Sequence, residues 1–229
     1  MASFDSYHAD YDEALGKGLW PSGEGKEYFA RQRIVFLARC LRRLGAPPPD
    51  SVLDFGCGTG TATPFLIAEL SAGAVVGVDA SPRCVEAARR AHGSAKTTFF
   101  VAGDYRPAGD LALAYCNGVF HHVPEADQAE VLALVRDSLR PGGIFALWEN
   151  NPWNPGTRYV MSHIPFDKDA VPLSSPAARR LVSAGGLEVL RTDYLFLFPR
   201  WLRVFRFIEP WLSPLPLGGQ YQVLCRRRD

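Results

Sequence analysis

Residues 52–60 read VLDFGCGTG: a short apolar run and an aspartate lead straight into glycines 56, 58 and 60. Glycine reaches positive φ and lets a ligand touch the backbone. A buried strand turning into such a loop just before a helix is how a parallel α/β sheet presents its carboxyl edge. The dinucleotide fingerprint G-x-G-x-x-G needs a glycine at 61, or at 63 when counted from Gly58, and Thr61 and Thr63 stand there instead. The loop is therefore shaped for something other than a pyrophosphate. The following helix end still favours a negative group, such as a carboxylate.

Working outward, SVLDF and AVVGVD (74–79) read as strands, and 62–71 reads as the helix between them. Ser81-Pro82 is a helix start, serine as cap and proline at the first helical position, for a helix ending near His92. TTFFVA (97–102) and LALAYC (111–116) are further strands. Residues 125–139 form a helix stopped by Pro141-Gly142-Gly143, and IFALW (144–148) is a fifth strand. Upstream, 26–44 carries Phe29, Ile34, Leu37, Leu41 and Leu44 at helical spacing, ended by Gly45 and prolines 47–49. Downstream, 150–175 holds four prolines and little periodicity, which predicts a long loop or small insert. A helix near 176–184, a strand over 186–198, an aromatic and proline-rich excursion over 199–219 and a last strand near 220–227 complete the chain.

Strands alternating with helices predict parallel pairing with right-handed crossovers. The expected fold is α/β: a doubly wound, mostly parallel seven-stranded sheet with an antiparallel last strand and helices on both faces. Residues 1–229 form one domain: an N-terminal helical lid (1–45), a cofactor-binding core (50–150) and acceptor-side inserts (150–175 and 199–219). Ligands of such sheets bind outside the carboxyl ends of the strands, so the residues that matter follow strands.

The totals agree with a packed globule: 229 residues, 47% hydrophobic and 21% charged. A formal net charge of +1 gives no global field for nucleic acid. Five cysteines without a C-x-x-C pair suggest neither a zinc knuckle nor a disulfide framework, and point to a reducing cytoplasm. No metal-ligand cluster is apparent. MASFDSYHADYDEALGKG (1–18) is acidic and lacks an apolar segment, so no signal peptide is expected, and no run is long enough to span a membrane.

Asp79 ends the second strand, nineteen residues past Gly60, where a carboxylate grips ribose hydroxyls. Asp104 follows the third strand and can accept from an exocyclic amine, with the Tyr105 ring beside it. A carboxylate end, a ribose and an adenine on one ligand describe S-adenosylmethionine. The ordered set VLDFGCGTG, VVGVDAS, FVAGDY, YCNGVFHHVP and LRPGGIFALWE resembles the class I S-adenosylmethionine-dependent methyltransferases over about residues 50–150. The resemblance implies that Gly56, Cys57, Gly58 and Gly60 line the methionine end and that Asp54 orients the loop and the ligand's amino group. It further implies that Asp79 holds the ribose with Ala80 alongside the adenine, that Asp104 and Tyr105 frame the adenine, and that Asn117 and Gly118 pass beneath the sulfonium.

The acceptor side carries less. Methyl transfer is an in-line displacement that rests mainly on alignment, and a base is needed only for a protonated acceptor. His121 and His122 follow the fourth strand, and either can be that base or can only shape the loop. The G-x-F-x-H frame of Gly118, Phe120 and His122 matches relatives acting on lipids or small molecules, which puts His122 first. Glu149 and Asn150 should rim the acceptor pocket. Arg158 can meet an acidic substrate or pair with Asp167, and Tyr11, with Tyr7, lies in the segment that acts as lid in this family. In PRWLRVFRFIEPWL (199–212), Trp201, Val204, Phe205 and Ile208 share one helical face beside Arg200, Arg203 and Arg206. That face is a lid, a peripheral membrane contact, or a helix packed on the domain or on the partner of a homodimer. The expected activity is methyl transfer to an O, N or C atom of a small-molecule acceptor. The competing classes are a nicotinamide oxidoreductase, disfavoured by the glycine spacing, and a non-catalytic cofactor-binding module acting through a partner.

Overall fold

The computed structural model describes residues 19–164 and 170–228. Among the described residues a 3-10 turn (Trp20–Ser22) and the helix α1 (Lys26–Arg43) precede β1 (Ser51–Phe55), α2 (Thr63–Leu70), β2 (Ala74–Asp79), α3 (Pro82–His92), β3 (Thr97–Val101) and β4 (Leu111–Asn117). A 3-10 turn (Phe120–His122) then leads toward α4 (Gln128–Ser138), β5 (Leu139–Asn150), α5 (Pro155–His163), α6 (Ser175–Ala184) and β6 (Leu187–Leu195). A longer 3-10 stretch (Arg200–Ile208) and a short helix (Glu209–Leu212) come before β7 (Gln220–Arg227). The seven strands form one sheet in the order β3-β2-β1-β4-β5-β7-β6. β7 runs antiparallel to both β5 and β6, and the other neighbours pair parallel.

Each face is sealed by helices. Ile34, Leu37 and Leu41 of α1 and Leu66 of α2 pack on Val52, Leu113 and Trp148. On the opposite face Leu132 and Val135 of α4 and Ala178 and Val182 of α6 cover Leu53, Phe145 and Leu147. Sheet residues of alternating parity serve the two cores, as a doubly covered sheet requires.

The helix start at 81–82 forms for the expected reason: Ser81 Oγ accepts from the Cys84 N–H at 3.2 Å. Two elements differ from expectation. The Pro141-Gly142-Gly143 stop does not separate helix from strand, because β5 already pairs at Leu139 and bulges before Ile144. Gly142 takes φ +74° in that bulge. In 150–175 a helix appears, α5, whose start is a local cap: Asn154 Oδ1 accepts from the Thr157 N–H at 3.0 Å, with Pro155 in the first turn.

The chain order reverses between β1 and β4. Loops leaving these neighbouring strands must converge at the carboxyl edge, and a crevice opens there.

Candidate active site

The three alternating glycines have three different jobs. Gly56 sits at φ +75°, and a Cβ there would lie 2.1 Å from Val119 Cγ2, so the loop after β1 touches the loop after β4. Gly60, at φ +82°, makes room for His92 of α3, whose Cδ2 would lie 2.7 Å from an added Cβ. Its bare α-carbon serves helix packing, so any contact of Gly60 with a ligand would come from its backbone groups. Gly58, at φ +53°, has nothing within 4 Å of an added Cβ, so open space lies over it. The Cys57 side chain is buried with Val85, Ala88 and Phe99, leaving only its backbone to face the crevice.

Asp79 joins two loops. Its Oδ2 accepts from the Gly58 N–H at 2.8 Å and its Oδ1 from the Ser81 N–H at 2.9 Å. The exposed Ala80 follows, and Asp104 stands exposed after β3. Tyr105 departs from expectation: its ring is buried near Phe100 and its hydroxyl lies 3.0 Å from Ser138 Oγ. The apolar ring gains more from the core, with its hydroxyl satisfied, than from a solvated rim.

Asp54 is buried at the end of β1, with Oδ2 unpartnered. Burial, reinforced by the Asp79 charge and offset by Arg33, lifts its carboxyl to about 7. Across the β1–β4 seam, Asn117 Oδ1 is a second buried acceptor with no partner. Gly118, at φ +68°, is held by its N–H on the Trp148 carbonyl at 2.9 Å. Two orphaned acceptors on the paired strands β1 and β4 call for a donor-rich cation, because a buried polar group without a partner is costly. The ammonium and carboxylate of S-adenosylmethionine's amino-acid end fit this cradle, with Asp54 and Asn117 toward the first and the helix end after Gly58–Gly60 toward the second.

Arg33 is the residue that the sequence reading overlooked. It is buried on α1, where Nε donates to Tyr115 Oη at 3.0 Å and Nη1 to Gln220 Oε1 at 2.9 Å. Gln220 Nε2 passes the chain on to Asn150 Oδ1 at 3.0 Å, so Asn150 joins a network spanning α1, β7 and β5. The signal was present: Arg33 lies four residues before Leu37 and eight before Leu41, on the buried stripe of the helix.

The histidine turn after β4 is clasped from below. Glu149 Oε1 accepts from the Phe120 N–H at 2.8 Å, and its Oε2 lies 2.5 Å from His121 Nδ1. Both side chains are almost wholly buried, at 1% and 3% exposure, so neither stands on the pocket rim. Gln128 Nε2 also donates to the Phe120 and Val123 carbonyls. Glu149 does not rim the pocket as expected, because with His121 it forms a buried brace for the loop. His122 is half-buried, its ring 4.0 Å from that of His121. Arg158 stands exposed on α5. Tyr7, Tyr11, Asp167 and residues 1–18 of the expected N-terminal lid (1–45) lie outside the described residues, while the lid's helix α1 packs on the sheet.

Residues 29–189 match the family model described as a methyltransferase domain. A trans-aconitate 2-methyltransferase of Methylobacterium nodulans is 31% identical over 222 residues, covering 86% of this chain and 83% of the relative. The enzyme of the same name from Escherichia coli O1:K1 is 27% identical over 215 residues, covering 87% and 83%. Among solved structures, an S-adenosylmethionine-dependent methyltransferase of Thermotoga maritima superposes with a TM-score of 0.66 at 18% identity, covering 97% of this chain and 98% of that one.

Proposed function

Because this chain belongs to the methyltransferase domain family, its methyl donor is S-adenosylmethionine and its acceptor a small molecule, and we propose that the accepting atom is a carboxylate oxygen. Family membership sets aside the nicotinamide reading. The observation that carries the proposal is the Glu149–His121 brace, which commits the buried carboxylate and the first histidine to holding the loop. A carboxylate is already anionic at neutral pH, so it attacks a methyl group without a base. Its oxygen lone pair forms the new C–O bond, the C–S bond breaks with its electrons going to sulfur, and no proton moves. The sulfonium supplies an activated methyl group, and the chain supplies alignment through Gly58, Asn117 and Gly118.

Two further facts favour this acceptor. The relatives above are named for trans-aconitate, a carboxylic acid. Arg158 on α5 and Arg200 and Arg203 beyond β6 follow the ligand-side ends of β5 and β6, where exposed cations attract acids. Asn150 and Arg158, with Tyr11, are the proposed acceptor contacts, and His122 shapes the pocket or meets the acceptor without acting as base. Asp79 holding the ribose, and Ala80 and Asp104 beside the adenine, are proposed from their places after β2 and β3. All five cysteines are unpaired thiols, which supports a cytoplasmic setting. No described helix is long and apolar enough to cross a membrane. The chain works as a monomer or homodimer, with 199–212 as the segment for any peripheral contact.

The test is a panel of small organic acids, alcohols and amines with labelled donor. A carboxylate acceptor gives a methyl ester that alkali cleaves to methanol, and His122→Gln retains most of the turnover. Alkali-stable product, or loss of activity in His122→Gln beyond about a hundredfold, the range of a general base, overturns the reading.

A further inference from the structure

Four of the five tryptophans face solvent: Trp20 at 80% exposure, Trp153 at 52%, Trp201 at 74% and Trp211 at 73%. A soluble domain ordinarily keeps such large rings at least half covered. Three of them belong to one continuous region. The 3-10 stretch Arg200–Ile208 and the helix Glu209–Leu212 contain no buried residue, and Val204, Phe205 and Phe207 are also exposed. Leu215 and Leu217 extend the apolar surface. Trp20 joins it, since Trp20, Gly23, Arg200, Trp201, Arg203 and Val204 line one open cavity of about 840 Å³.

The charges in this region are sorted. Arg206 is turned inward, its Nη1 2.9 Å from Glu24 Oε1 and its guanidinium 4.8 Å from the Tyr28 ring centre. Glu209, the sole acid of 199–219, is also turned inward, toward the Leu197 N–H. Arg200 and Arg203 are left exposed among the tryptophans. Among the described residues, the outward surface of 200–217 is therefore apolar and cationic, with Glu209 and Glu24 turned inward. Indoles prefer the boundary between water and hydrocarbon, and guanidinium groups at that depth meet acidic headgroups.

We infer that the exposed face of 200–217, with Trp20, docks on an anionic phospholipid surface, the cavity between Trp20 and Trp201 receiving acidic headgroups at Arg200 and Arg203. β7 begins at Gln220, opposite Asn150 at the ligand-side end of β5, so this face flanks the crevice mouth. Docking turns the mouth toward the bilayer, where an amphiphilic acid would be met. Membrane docking of this face does not depend on which acceptor is methylated.

The experiment is cosedimentation of the donor-loaded protein with vesicles of phosphatidylcholine and phosphatidylglycerol, against phosphatidylcholine alone. Expected are binding to the anionic vesicles that weakens with salt, and quenching of tryptophan emission by brominated lipid. The double variants Arg200→Gln/Arg203→Gln and Trp201→Ala/Trp211→Ala each bind at least about tenfold more weakly. Arg90→Gln, on the exposed side of α3, binds like the parent. No binding to anionic vesicles overturns docking, as does equal binding to neutral ones or the absence of quenching. So does sedimentation equilibrium showing a dimer that Trp201→Ala/Trp211→Ala dissociates, since a second copy then covers the face. Donor affinity, measured on the same samples, keeps this outcome separate from any failure of the acceptor reading.

Discussion

The loops after β1, β2 and β4 and the excursion over 199–219 meet at the same edge of the sheet but are built on opposite terms. In the first region polar groups are held by short protein contacts: Asp79 bridges Gly58 and Ser81, and Glu149 braces Phe120 and His121. In the second, large rings stand in solvent and no residue of 200–212 is buried. The donor is the same molecule in every turnover, so its cradle profits from preorganisation. The second region's own packing leaves its apolar rings uncovered, as a surface completed by an outside partner would, which is the docking reading proposed above.

Breaking the brace should have the largest effect. Glu149→Ala removes the acceptor of the Phe120 N–H and the carboxylate beside His121 Nδ1 in the core, and about 3–5 kcal/mol of stability should be lost, read as a lowered urea midpoint. Glu149→Gln keeps an acceptor and should lose less. An unchanged midpoint for Glu149→Ala would mean that the turn is not held from below.

The two glycines flanking Cys57 sharpen the contrast within the cradle. Gly56→Ala meets both left-handed strain and Val119, costing about 2–4 kcal/mol in thermal or urea unfolding. Gly58→Ala meets strain alone, about 1–2 kcal/mol, yet its Cβ enters the open space and should reduce donor affinity more than stability. Equal effects of the two on stability would erase the distinction between packing and ligand space. Next in size, Asp79→Ala should weaken donor binding by about 1–3 kcal/mol in calorimetry, through loss of charge-assisted hydrogen bonds and of the link to Gly58.

Asp54 offers a pH test. Its folded carboxyl is lifted from 3.8 to about 7, so the protonated form favours the fold at low pH. That advantage erodes as pH rises from about 4 through 7 and stays lost above it. A bound ammonium reverses the preference. Donor binding at pH 6 should therefore release up to one proton, and at pH 8 almost none, read from calorimetry in buffers of different ionisation enthalpy. Asp54→Asn should remove the difference. The smallest stability effect belongs to the exposed face: Trp201→Ala should stay within about 0.5 kcal/mol.

Much of this was legible in the residues. Alternating apolar runs and helix signals located all seven strands, and Ser81-Pro82 announced its cap. Asn154-Pro155 is the same kind of signal, hidden by the prolines around it. The brace was not legible, because Glu149 and His121 are 28 residues apart and meet only when β4 and β5 pair. Arg33 was half legible, since its place on the apolar stripe marks it as buried, while its partners Tyr115 and Gln220 lie 82 and 187 residues away.

By itself the sequence determined the order of strands and helices, the carboxyl-edge crevice and the donor, because helical and strand periods, caps and glycine spacing are local properties of the chain. Tertiary structure alone decided which glycine opens on free space and which packs against a neighbour, which acids are braces, and that Trp20 joins a surface nearly two hundred residues away, because burial and pairing depend on which segments the sheet brings together.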